Sequence, residues 1–323
     1  MRLTLIIILV FILIIFTTLM IIKLYPINES SDISIIVILK SKTEGTDFWN
    51  MVKKGIKSAS NEYEVKVKVI APLYESDVEG QIKLVEESIK EKPDVIILAA
   101  TDYKKLVPIS KKVVYSKIKL ITLDSDIKSN ISEGLIATNN YKAGIKAGNI
   151  LSGIINSDDT IAIISHIKGS ATAIYRENGV RSELNKFNQK NILDTVYSDN
   201  SIENSYNLTK NLLNNNNNIG GIIALNETTT VGVAMAVEEN KSYSNIKIVG
   251  FDGSIDEVKY IEKGIIHSTI IQNPYNMGYS GIKAAVKVSK GNKINKYLDT
   301  GSFIINKNNL YEPENEKLLF PFY

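Results

Sequence analysis

Residues 118–127 read IKLITLDSDI and residues 246–255 read IKIVGFDGSI. Each is a short β-branched apolar run closed by an aspartate, Asp124 in the first and Asp252 in the second. Neither run alternates apolar with polar residues, which marks strands buried on both faces, as in a parallel sheet covered by helices. The segment before each copy also matches in character, PDVIILAATD at 93–102 against IGGIIALNET at 219–228. The chain thus repeats one pattern, and each copy brings polar residues to the carboxyl end of a strand. In open α/β sheets ligands bind at those ends. Two facing copies would bring Asp124 and Asp252 to one cleft from opposite sides.

Working outward, the apolar runs predict strands at 33–40, 65–71, 94–100 and 119–124, with helices between them at 47–61, 78–90 and 103–115. A second set predicts strands at 160–164, 192–196, 221–225, 247–251 and 268–271. Its helices fall at 171–186, 202–213, 229–239 and 274–289, and the asparagine run 214–218 predicts a solvated loop. Strands alternating with helices imply right-handed β-α-β units and an α/β fold in two lobes. The length of 323 residues agrees with about two domains.

Composition narrows the function. Apolar residues make up 44% and the net charge is +3, spread without a basic block, so a real core is expected and nucleic acid is not a partner. There are no cysteines and only two histidines, His166 and His267. Disulfides, thiolate nucleophiles, zinc ribbons, iron–sulfur clusters and three-histidine metal sites are excluded. No G-x-G-x-x-G, Walker loop, G-x-S-x-G or H-E-x-x-H occurs. Asp124-Ser125-Asp126 is a bare D-x-D. Asp124 and Asp252 could pair as acid and base for glycoside hydrolysis, but nothing shows how one of them would hold a proton. His166 and His267 read as hydrogen-bonded structural residues. No catalytic set, cofactor or metal is expected.

Residues 5–22 are apolar except for Thr17 and Thr18, with Arg2 before them and Lys23 after. At 1.5 Å per residue, such a helix spans about 30 Å, the hydrocarbon thickness of a membrane. The run is longer than the roughly 7–15 residues of a secretory signal core, and no small-residue cleavage site follows. It predicts an uncleaved signal anchor over 1–24, a polar linker over 25–32 and an extracytoplasmic remainder.

Binding chemistry is richer than catalytic chemistry. Phe48 and Trp49 open the first helix, and they are either core or a stacking surface for the apolar face of a sugar. Arg176 sits in a helix as either a surface ion pair or a bidentate donor to ligand hydroxyls. Asn226, Asp252 and Gln272 each end an apolar run. Strand-end polar residues often cap the next helix, yet these three with Asp124 exceed what capping requires. Amides mixed with carboxylates suit a polyol, which both donates and accepts hydrogen bonds.

At these residues the sequence resembles the ribose-type sugar-binding proteins of the type I periplasmic family. The matching stretches are DFWNMVKKGIKSA, DVEGQIKLVEESI, IILAATD, ITLDSD, ATNNYKAG, GSATAIYRENG, ALNET, VGFDGS and IIQNP, in that order from about 33 to 306. The resemblance implies two Rossmann-like lobes with parallel sheets, joined by three crossing segments near 138–140, 272–273 and 301–302. Lobe 1 would hold 33–138 and 273–301, and lobe 2 would hold 139–272 and 302–323. Phe48 and Trp49 match the stacking aromatics, and Asp124, Arg176, Asn226, Asp252 and Gln272 match hydrogen-bonding positions. Ala99 replaces an asparagine of the ribose binders, and Ser125 replaces an arginine. Asn200 falls near a second-lobe aromatic, with Tyr197 a substitute for it.

The resemblance implies a membrane-tethered, extracytoplasmic binding protein that captures a monosaccharide or polyol by hinge closure. Its membrane partner would be the permease of an ABC importer or a sensor histidine kinase. The rival reading is an extracytoplasmic enzyme acting on a sugar.

Overall fold

Trp49, Val52, Ile56 and Ala59 recur at helical spacing and form the buried stripe of α1 (Asp47–Glu62). That helix connects β1 (Ser34–Ile38) to β2 (Lys66–Ile70), and the pattern continues through α2 (Val78–Lys90), β3 (Val95–Leu98), α3 (Val107–Tyr115), β4 (Lys119–Leu123) and β5 (Leu135–Ala137). The chain then builds a second array of α4 (Asn140–Ser152), β6 (Thr160–Ser165), α5 (Ala171–Lys186), β7 (Val196–Tyr197), α6 (Ile202–Asn215) and β8 (Ile219–Ala224). It completes that array with α7 (Glu227–Glu239), β9 (Lys247–Phe251), α8 (Ile255–Glu262) and β10 (Ile266–Gln272). Helix α9 (Pro274–Ser289) and β11 (Tyr297–Asp299) follow, then β12 (Ser302–Asn306) and α10 (Pro313–Leu319). The computed structural model describes residues 11, 14–17, 20, 33–42, 47–189, 191–216 and 218–320.

The strands form two six-stranded sheets of the same order, β11-β5-β4-β3-β1-β2 and β12-β10-β9-β8-β6-β7. All pairings are parallel except β10 with β12. Each sheet is sandwiched between two apolar layers. One face of the first holds Val37, Ile97 and Met277, and the other holds Ile38, Leu98 and Ile109. The second sheet is packed the same way around Ile222 and Phe251. Both lobes belong to one compact unit that begins at Ile33.

The chain passes between the sheets after β5, after β10 and after β11, and these crossings are bonded together. The Asp299 carboxylate accepts from the Asn139 N–H at 3.1 Å and the Gly301 N–H at 2.9 Å. Thr138 donates from its hydroxyl to the Gly301 carbonyl at 3.2 Å. Gly301 has φ +86°, a left-handed conformation in which a side chain would be strained.

The structure departs from the sequence reading in several places. The helix expected from 103 begins at Val107, because Asp102 turns the chain by accepting from the Lys104 and Lys105 N–H groups. The strand expected at 192–196 shrinks to Val196–Tyr197, with Ile192 making a lone bridge to Ile161. Helix α4, the short strands β5, β11 and β12 and helix α10 had no strong sequence signal. The expected anchor, 1–24, lies almost wholly outside the described residues. Among the described residues no helix is long and apolar enough to cross a membrane.

Each lobe is held by one close helix pair. In the second, a Cβ on Gly144 of α4 would lie 2.1 Å from the Arg176 carbonyl of α5, and one on Gly179 would lie 2.1 Å from the Tyr141 carbonyl. In the first, Gly55 and Gly278 meet α9 and α1 in the same reciprocal way. Gly144→Ala must push α4 from α5, and such overpacking costs about 1–3 kcal/mol. Gly153→Ala, where the nearest atom is 3.6 Å away, should change stability by less than about 0.5 kcal/mol. Urea midpoints of the two variants check this, and equal midpoints would contradict the close helix contact.

Candidate ligand-binding site

The carboxyl ends of the strands supply the site. Lys40 follows β1, Asp124 follows β4, His166 follows β6, Asn226 lies just beyond β8, Asp252 follows β9, and Gln272 ends β10. Phe48 and Trp49 come from the first turn of α1, and Arg176 from α5. These residues, with Glu75, Thr172, Asn200 and Glu227, line one cleft between the lobes. All seven positions expected from the sequence are therefore brought together.

The repeated aspartates occupy equivalent positions. Asp124 has φ +59° and Asp252 has φ +76°, left-handed values uncommon for a residue with a side chain. Each N–H is anchored to the next strand, Asp124 to the Ile136 carbonyl at 2.9 Å and Asp252 to the Ile270 carbonyl at 3.0 Å. The strained turn ends the strand and presents the carboxylate at the cleft, and such strain clusters at functional sites.

On the first lobe a buried ammonium dominates. Lys40 Nζ lies 3.0 Å from Asp124 and 3.2 Å from Glu75, and it donates across the cleft to Ser170 Oγ at 3.3 Å and Thr172 Oγ1 at 3.4 Å. Burial alone would lower the Lys40 pKa, but the two carboxylates outweigh it and raise it. Glu75 also accepts from the Asn200 amide at 3.1 Å, a second contact between lobes.

On the second lobe Arg176 is 2% exposed, which removes the surface ion-pair reading. It donates to Asn140 Oδ1 at 2.8 Å and to the Leu225 carbonyl at 2.7 Å, with its guanidinium 4.6 Å over the Phe251 ring. Asp252 accepts from Gln272 Nε2 at 2.7 Å and from the Glu227 N–H at 3.1 Å. Burial pushes the Asp252 pKa up against the pull of Arg176. Asn226 does cap α7 through its carbonyl, accepting from the Thr229 N–H at 3.1 Å, while its amide donates to Asn200 Oδ1 at 2.7 Å. Glu227 accepts from the Asp47 N–H of the other lobe at 3.3 Å. Burial first, then the Asp252 charge, pushes its carboxyl up to about 8.

Phe48 and Trp49 meet edge to face, with centroids 4.9 Å apart. Trp49 packs in the first-lobe core and also lines the cleft. Tyr197 does not line the cleft; its hydroxyl donates to Glu177 at 3.2 Å. His166, read as structural, does line it. Lys40, Glu75, Thr172 and Glu227 were missed, and Asn200 was noted only as falling near an aromatic position of the family. Lys40 carried a signal, a charged residue closing an otherwise apolar run. Glu75 and Asn200 lie on loops, where no periodicity points to a face.

The space between these side chains has a volume of about 40 Å³. Four carboxylates against two cations disfavour an anionic occupant. Two buried polar atoms in the lining, Gln272 Oε1 and His166 Nδ1, have no protein partner. Among the described residues no group of three or more metal-ligating side chains is positioned to hold an ion.

The comparisons agree with this arrangement. Residues 35–293 match the family model described as periplasmic binding protein domain. The D-allose-binding periplasmic protein of Escherichia coli (strain K12) is 28% identical over 265 residues, covering 78% of this chain and 84% of that protein. The solved structure of a sugar transporter from Clostridium phytofermentans is 35% identical with a TM-score of 0.80, covering 85% of this chain and 100% of the other. A carbohydrate transporter solute-binding protein from Agrobacterium radiobacter, in complex with D-arabinose, is 29% identical with a TM-score of 0.85, covering 90% and 99%. A family model that matches most of the chain, together with relatives that are binding proteins, shows that this chain belongs to the periplasmic binding protein domain family.

Proposed function

We propose that this protein captures a single neutral monosaccharide between its lobes and delivers it to the permease of an ABC importer. One observation carries the reading: a polar cleft whose hydroxyl-matching groups come from both lobes, with Lys40 reaching from one to the other. The cleft residues divide between elements of the two sheets, so a ligand touching both sets favours the closed arrangement by its differential affinity for it. The hinge is the bonded set of crossings at Thr138, Asn139 and Gly301. Lobe 1 consists of 33–138 with 273–301, and lobe 2 of 139–272 with 302–323. The apolar run at 5–22 tethers the binding domain to the membrane on its extracytoplasmic side. Import-binding relatives favour the permease as partner over a sensor histidine kinase; co-purification of the full-length protein with one or the other decides between them.

Thermal-shift screening of the full-length protein against pentoses, hexoses and polyols tests the reading. A ligand at 100 times its dissociation constant stabilises by about 2.7 kcal/mol, which moves the transition by several degrees. Recovery of the sugar unchanged is expected, and conversion to product would support the enzyme reading instead.

Asp252→Asn keeps the left-handed backbone but removes the charge. It should weaken sugar binding by about 1.5–3 kcal/mol, the range for hydrogen bonds to charged groups. Arg176→Lys keeps the charge and loses the planar fork. Its affinity should fall at least tenfold, about 1.4 kcal/mol, and its ligand-induced compaction in small-angle scattering should fall with it. Calorimetry that finds parental affinity for both variants would remove them from the site.

Closure also has a pH signature. In the open form Glu227 meets water and returns toward its ordinary value of 4.5; in the closed form it titrates at about 8. Between those values the closed form holds a proton that the open form releases. Affinity should therefore be greatest at the acid end and fall as pH rises through 8, by roughly tenfold per unit of effective shift. Titrations at pH 5.5 and 8.5 measure this, and Glu227→Gln should flatten the difference.

A further inference from the structure

We propose that a second cavity, beside the cleft, binds a small organic ammonium ion. The cavity has a volume of about 200 Å³ and takes its walls from both halves of the fold. Asp124 and Asp126 follow β4, Tyr297 opens β11, Tyr141 stands in the first turn of α4, and Thr172 and Tyr175 lie on α5. A water needs roughly 10–15 Å³ of such space, so a small organic molecule has room. Asp124 and Thr172 line both the cleft and this cavity. The Lys40 ammonium lies 3.0 Å from Asp124 and 3.4 Å from Thr172, and that bridge marks the boundary between the two spaces. The second space is on the side of the bonded crossings, where Thr138 and Asn139 line it.

The lining chemistry selects the occupant. Most hydrogen-bonding groups here already have protein partners. Asn139 caps α4 by accepting from the Lys142 N–H at 3.0 Å, and the Asn140 amide donates to the Thr138 carbonyl at 3.1 Å. Tyr141 donates to Ser182 Oγ at 3.1 Å, and the Tyr175 hydroxyl lies 2.9 Å from that of Tyr103. Little is left to match the hydroxyls of a polyol. What is left is aromatic surface, with Tyr141 41% and Tyr297 40% exposed, and one carboxylate. Among the described residues no lysine, arginine or histidine lines the cavity. Lys40 matches the Asp124 charge. Asp126 accepts from Thr122 Oγ1 at 3.0 Å and from the Ile127 N–H, and among the described residues no cation pairs with it.

A cation is drawn to the negative faces of tyrosine rings, and a carboxylate without a counter-ion adds direct Coulomb attraction. An anion would meet two aspartates, and a neutral molecule would leave Asp126 uncompensated. Burial pushes the Asp126 carboxyl up, and a bound cation offsets that cost of holding its charge.

The test is calorimetric titration of the full-length protein with tetramethylammonium chloride at constant total chloride. No sugar is present, so the result does not depend on the sugar reading. Saturable binding is expected. Asp126→Asn keeps an oxygen for Thr122 and removes the charge, and its affinity should fall roughly tenfold or more. Tyr297→Leu removes a ring and should weaken binding about threefold. Tyr297→Phe keeps the ring and loses only a hydroxyl 3.5 Å from the Ala137 carbonyl, so it should bind like the parent. The uncharged analogue tert-butanol should not bind. A parent that shows no saturable binding, parental affinity in Asp126→Asn, or equal affinity for tert-butanol would overturn the proposal. Should Asp126→Asn fail to fold, equal affinities of Tyr297→Leu and Tyr297→Phe overturn it, and a loss confined to Tyr297→Leu supports it.

Discussion

The buried ammonium of Lys40 is the interaction on which the site depends. An isolated lysine in this position would be forced to give up its proton, since burial opposes charge. It keeps the charge because Asp124 and Glu75 stand within 3.2 Å. Those carboxylates are in turn tolerable only because Lys40 is there, as removing one partner of a buried pair leaves an uncompensated charge. With two of its three protons facing these carboxylates, the third is left for the second lobe, where Ser170 Oγ and Thr172 Oγ1 lie 3.3 and 3.4 Å away. One side chain therefore orders the first-lobe charges and links the lobes.

Around this centre the fold supplies rigid walls. The two sheets share one strand order, so the strand-end aspartates arrive at equivalent places with equivalent backbone turns. The reciprocal glycine contacts bring α4 against α5 and α1 against α9 more closely than any other residue would permit. The first of these pairs fixes the helix that carries Arg176, and the second fixes the helix that carries Phe48 and Trp49. The lobes are joined by a narrow set of crossings, where Asp299 gathers the N–H groups of two of the three segments.

The second lobe carries the opposite electrostatic problem. Glu227 and Asp252 lie close together with Arg176 as the principal cation, and burial raises both carboxyls. Glu227 is compensated by a backbone N–H at the start of α1, from the other lobe. The cation of one lobe and the acid of the other each find a partner across the cleft.

The sequence by itself determined the lobes and the strand-end aspartates, because both are local. β-Branched runs with no alternation define strands covered on both faces, and the repeat of Asp124 in Asp252 needs no distant contact to be seen. It also brought out Phe48, Trp49, Arg176, Asn226 and Gln272 through motif and family likeness. It could not reveal Glu75, whose loop has no period, nor β11 and β12, whose three and five residues pair with strands set by distant parts of the chain. It read His166 as a hydrogen-bonded structural residue, and the structure adds that this residue, bonded to Thr172, also lines the cleft. Only the tertiary structure decided which charges meet, since pairing across two lobes is set by distance through space and not by order along the chain.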